Sequence, residues 1–182
     1  MPTKPVPRSS FAKKPSNPWG ELQPCGEGLT VDNFLTTRLS DVTSRARRNI
    51  TLHYATEAGL SVSEWRILSL VAHARELPFG ELVLQSTSDK ALVSRTLRAL
   101  ESRGLVEVKP DAGGHRKKLV CAITPSGDAL HAQVIPIARQ RQAEAICVLS
   151  AEERRVLFKA LGKLSTYFRD QEEKRPPGRD GL

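Results

Sequence analysis

Lys90, Ala91, Ser94, Arg95 and Arg98 recur at spacings of one, three, one and three, which places them on one face of a helix. Val93, Leu97 and Leu100 take the opposite face, so this helix buries one side and offers cations on the other. His115, Arg116 and Lys117 lie in a segment that begins Pro110-Asp111-Ala112-Gly113-Gly114 and reads as a hairpin tipped with cations. Guanidinium and ammonium groups in such a pattern suit phosphate oxygens. Small residues at Ala91 and Ser94 let a helix sit deep enough to touch base edges. Arg95 suits a guanine or a phosphate equally. The ordinary alternative is a solvated charged face, and it weakens when cations sit on two adjacent elements with few acids among them.

Catalytic patterns are missing. The chain has no nucleophile with its base, no P-loop, no Rossmann glycine run and no paired carboxylates on one helix face, and Gly113-Gly114 reads as a turn. The four histidines lack metal-ligand spacing. The expectation is a binding protein, not an enzyme, with no cofactor and no metal.

The elements that would position these cations follow from periodicity. Phe79 to Leu84 reads as a short helix, and Ser86-Thr87-Ser88 as a turn supplying helix caps. The basic helix follows and stops at Gly104. The period then drops to two: Leu105, Glu107 and Lys109 alternate with Val106 and Val108, and Leu119 to Ile123 is a second extended run. Helix, turn, basic helix and basic hairpin make a winged helix-turn-helix, whose second helix can enter the major groove while the hairpin reaches the flanking backbone. The expected fold is mainly α with a small β-hairpin wing. It combines a winged helix-turn-helix domain with a helical dimerisation region.

Upstream, Leu35, Leu39, Val42, Ala46, Asn49 and His53 begin a long helix from Thr30 or Val31 to Gly59, decorated by Arg38, Arg45, Arg47 and Arg48. Ser61 and Glu64 form a capping box ahead of Trp65, Leu68, Val71 and Ala72. Downstream, Thr124-Pro125 starts a helix that Pro136 should kink. Ser150 and Glu153 cap a last helix whose stripe of Leu157, Leu161, Leu164 and Phe168 exceeds what one side of a monomer needs.

Four motifs carry a resemblance: Leu60 to Leu68 (LSVSEWRIL), Asp89 to Arg95 (DKALVSR), Leu100 to Val106 (LESRGLV) and Ile123 to Gly127 (ITPSG). In this order and spacing they resemble the MarR family of bacterial transcription regulators, over roughly residues 30 to 170. The wing departs from the family pattern. The usual Asp-x-Arg places hold His115 and Lys117 with Arg116 between, which leaves Arg116 or Lys117 for the tip contact. The resemblance implies a homodimer formed through the first helix and the last two. It implies a duplex operator read as a near-palindrome, and a small anionic aromatic effector, an aromatic acid or its coenzyme A thioester. Trp65 and Tyr54 would wall the effector site, and Arg38, Arg45 and Arg48 would receive the anion.

The whole chain fits that expectation. Its 182 residues carry a formal charge of +8, with a pI of about 9.8, which suits a polyanion. Aromatics at 5% provide no ladder for stacking single strands, so duplex is favoured. Three cysteines without CxxC spacing suit a reduced, cytoplasmic setting, and no apolar run approaches a membrane span. The expected organisation is a flexible, basic, proline-rich tail without helical or strand period over 1–29, helical dimerisation segments over 30–60 and 125–170, a winged helix-turn-helix DNA-binding lobe over 61–124, and a disordered, polar tail over 171–182. Two alternatives keep the same fold: a redox-sensing repressor using Cys25, and a ligand-independent architectural protein with weak operator preference.

Overall fold

The computed structural model describes residues 17–111 and 118–174. The chain divides into two compact units, 1–46 and 47–182.

In the first unit, a turn-rich segment leads into a short 3-10 helix, Val31–Asn33, and then α1, Leu35–Ala46. The long helix expected from Thr30 or Val31 is broken at its start, because Phe34 has an extended ψ of 142°. Asn33 and Thr30 cap the entry: the Asn33 side-chain oxygen accepts from the Thr30 backbone N at 2.9 Å. Residues 17–29 are not featureless. Trp19 donates its indole Nε1 to the Asn33 carbonyl at 2.8 Å.

The second unit opens with a π-helical turn, Arg47–Thr51, then α2, Leu52–Glu57, and α3, Val62–Ala74. Wide turns of this kind insert an extra residue into the helical repeat, which the four-and-three spacing does not forecast. The Ser61–Glu64 capping box forms, with the Ser61 backbone N donating to Glu64 Oε2 at 2.7 Å and the Glu64 backbone N to Ser61 Oγ at 3.1 Å. Then come β1, Glu76–Pro78; α4, Phe79–Ser86; α5, Lys90–Ser102; β2, Val106–Pro110; β3, Leu119–Ile123; α6, Pro125–Ile146; and α7, Ala151–Glu173.

The sheet is antiparallel in the order β1-β3-β2. Cys121 on the central strand pairs with Leu77 on one side and Val108 on the other. It is fully buried, and burial, with Glu101 adding to it, pushes its thiol up to about 11. The core gathers Leu68 and Val71 of α3, Leu82 of α4, Val93, Leu97 and Leu100 of α5, and Val106 of β2. Pro136 lies inside α6 without interrupting it. No helix among the described residues is long and apolar enough to cross a membrane.

Candidate nucleic-acid interface

The turn between α4 and α5 is short and tightly held. Thr87 takes a left-handed conformation (φ 51°) that ends α4, and Asp89, not one of the turn's hydroxyl residues, caps α5 by accepting from the Leu92 backbone N at 2.8 Å. A carboxylate there also meets the positive end of the helix dipole. From α3, Arg66 reaches across and donates through Nη2 to Thr87 Oγ1 at 3.1 Å and to the Gln85 carbonyl at 3.4 Å. Burial pulls the Arg66 guanidinium below its ordinary value, and Arg47 adds to that.

With α4 and α3 fixed against it, α5 turns Val93, Leu97 and Leu100 inward and leaves Lys90, Ala91, Arg95 and Arg98 exposed, with Ser94 half-buried among them. Arg98 donates to Ser94 Oγ at 3.1 Å, one helical turn back, which holds its guanidinium along the exposed face. Two acids nearby are already engaged: Glu101 accepts from the Val108 backbone N at 3.1 Å, and Glu76 pairs with Lys109. Arg103, at the end of the helix, donates to the Gly59 carbonyl at 3.0 Å and lies 3.5 Å from Glu64. Burial raises the Glu64 carboxyl, but the Ser61 hydrogen bonds and Arg103 outweigh it and hold that group below its ordinary value. Beyond α5, Gly104 (φ 65°) turns the chain into β2.

Lys90, Ser94 and Arg98 border a cleft of about 370 Å³ whose other walls include Phe79, Leu97 and Val108. Phe79 and Val108 join the site only through the tertiary fold, since they lie on α4 and β2 and carry no polar group that marks them in the sequence. His115, Arg116 and Lys117 lie outside the described residues; Asp111 and Lys118, where the described chain stops and resumes, are joined by a backbone hydrogen bond of 2.7 Å.

The expected effector residues separate between the units. Tyr54 and Trp65 come together in the second, with ring centroids 5.5 Å apart and edge to face. Both are buried, and His131 of α6 stacks on Trp65 at 5.6 Å. Burial lowers His131, Arg139 and His73 lower it further, and Asp128 opposes them. Spacing gives no sign of His131's place: it bears no motif, and only α6 packing brings it to the tryptophan. Arg48 lies exposed in the π turn. Arg38 and Arg45 belong to the first unit, where Arg45 Nε pairs with Asp41 at 2.9 Å on α1. Cys25 is exposed in that unit as well.

This arrangement of α3, α4, α5 and a three-stranded sheet is that of a winged helix, and residues 58–117 match the family model described as MarR family. Among known proteins, the chain is 34% identical over 85 residues to the HTH-type transcriptional repressor NicR of Pseudomonas putida. The match takes in 47% of this chain and 53% of NicR, so the chain spans about half the length of that relative. Two solved structures share the fold. BpsR of Bordetella bronchiseptica, described for regulation of its DNA binding by 6-hydroxynicotinic acid, superposes with a TM-score of 0.65 at 23% identity, over 75% of this chain and 96% of BpsR. A mutant MarR from Escherichia coli complexed with operator DNA superposes with a TM-score of 0.64 at 20% identity, over 75% of this chain and 99% of that one.

Proposed function

We propose that this protein is a dimeric, ligand-responsive transcription regulator, a repressor that binds a near-palindromic operator and leaves it when an aromatic acid or its coenzyme A thioester binds. The observation that carries this reading is the exposed face of Lys90, Ala91, Ser94, Arg95 and Arg98 on a helix held by its Asp89 cap and the Arg66 strap. In this reading Ser94 and Arg95 touch bases, while Lys90 and Arg98 hold phosphates and His115, Arg116 and Lys117 extend the grip along the flanking backbone. The MarR-family match and the NicR likeness support the regulatory role, and the BpsR likeness supports an aromatic acid as the signal.

The effector acts by favouring a dimer whose two α5 helices no longer match the operator spacing, a shift between conformations rather than a block at the groove. Cytoplasmic residence accompanies this role. The experiment is binding to the DNA upstream of the protein's own gene, with and without aromatic acids and their thioesters. Specific binding that falls as acid or thioester is added is expected. Equal affinity for unrelated DNA at fixed salt would instead support the architectural alternative.

A further inference from the structure

The first unit holds a cavity of about 650 Å³ bordered by Asn17, Trp19, Thr30, Asp32, Asn33 and Arg38. Sites for small organic ligands run from roughly 300 to 1,000 Å³. Trp19 is pinned at the rim. Its backbone N donates to Asn17 Oδ1 at 3.1 Å, and its indole Nε1 donates to the Asn33 carbonyl at 2.8 Å. The second bond engages the donor edge of the indole, and the residue still keeps 44% of its surface exposed. The cavity also carries opposite charges, the Arg38 guanidinium and the Asp32 carboxylate, and both residues are exposed. On the same helix, by contrast, Arg45 is committed to Asp41.

We infer that this cavity is the effector site: it takes a planar aromatic acid that also carries a hydrogen-bond donor, such as a ring hydroxyl or amine. The inference rests on the proposed response to aromatic acids and moves the aromatic wall from Trp65 to Trp19. An aromatic ring fits against the pinned indole. Arg38 receives the carboxylate through its planar fork. A ligand with only an anionic group meets like-charge repulsion from Asp32, and one with only a cationic group meets it from Arg38. A ligand with an acid at one end and a donor at the other satisfies both.

The test uses the full chain, with 4-hydroxybenzoate and benzoate as probes, tryptophan fluorescence and calorimetry as binding readouts, and operator anisotropy as a separate readout. Saturable quenching by 4-hydroxybenzoate is expected, with benzoate at least about threefold weaker, and Arg38→Gln should weaken both by about tenfold. Asp32→Asn should erase the preference for the hydroxyl. Trp19→Phe should remove the quench, while Trp65→Phe should keep it. No saturation by about 10 mM, wild-type binding by Arg38→Gln, or a quench that survives Trp19→Phe and vanishes in Trp65→Phe would each overturn the site. The site and the regulatory reading fail separately. Operator release by acid that persists unchanged in Arg38→Gln removes the site and keeps the reading, whereas binding at Trp19 without any release keeps the site and removes the reading.

Discussion

At Gly127 one hydrogen atom decides how α6 docks. A Cβ built there would lie 1.9 Å from the Leu105 carbonyl oxygen and 2.8 Å from Ile123 Cδ1. Backbone cannot yield as a flexible side chain can. Thr124 completes the junction by donating to the Gly104 carbonyl at 2.6 Å and accepting from the Gly127 backbone N at 3.0 Å. Gly127→Ala should therefore cost about 2 kcal/mol or more, and lower the melting temperature by about 4 to 8 °C, as overpacking does. An unchanged melting temperature would mean that α6 shifts freely. The sequence carries this glycine as part of the ITPSG motif, but the contact that demands it is tertiary. His131 offers a second residue-level expectation. Its folded value lies below the ordinary 6.5, so the stability tied to its neutral form is fully present above 6.5 and is lost as pH falls through the lower folded value. His131→Phe keeps a ring against Trp65 and removes the titration. Urea midpoints should fall more steeply from pH 7 to pH 5 in the wild type than in this variant, and parallel curves would refute the assignment.

At the scale of elements, those with strong local signals are legible in the sequence. The Ser61–Glu64 and Ser150–Glu153 capping boxes and the Thr124-Pro125 start stand where spacing places them, because each is written within four residues. Elements defined by distant partners are not readable in this way. The strand β1 is three residues, Glu-Leu-Pro, too short for any period, and exists because β3 pairs with it. The cap of α5 falls to Asp89 because Thr87 ends α4 in a left-handed conformation, a result of the turn's geometry. The helix α7 raises a different issue: it buries none of its residues, and Phe158 is 84% exposed. Val156, Leu157, Leu161, Tyr167 and Phe168 are exposed alongside it. A stripe of that extent on a 23-residue helix fits a seam with a second copy of the chain. Leu161→Asp and Leu164→Asp should each give a monomer or an aggregate that does not bind operator, since a carboxylate in such a seam loses its hydration without a partner. An intact, DNA-binding dimer for both variants in sedimentation would place the seam elsewhere.

For the whole molecule, the winged-helix lobe is readable because its chemistry and its periodicity coincide: cations fall on the face that the apolar spacing leaves outside. The effector residues are not, because a ligand site is assembled from separate segments. Spacing cannot report that Trp19 borders a cavity with Arg38 while Trp65 packs between Tyr54 and His131. The central claim, that α5 and the hairpin after it grip duplex DNA, is open to one direct measurement. It is a salt titration of operator binding by fluorescence anisotropy for the wild type, Arg95→Ala and the paired Arg116→Ala, Lys117→Ala variant. The paired variant is expected to weaken binding to every sequence alike and to lower the log–log salt slope by roughly one to two units, about one for each phosphate left without its cation. Arg95→Ala is expected to change which sequence is preferred as well. Affinity, slope and preference unchanged in both variants would contradict the grip of α5 and the hairpin on DNA.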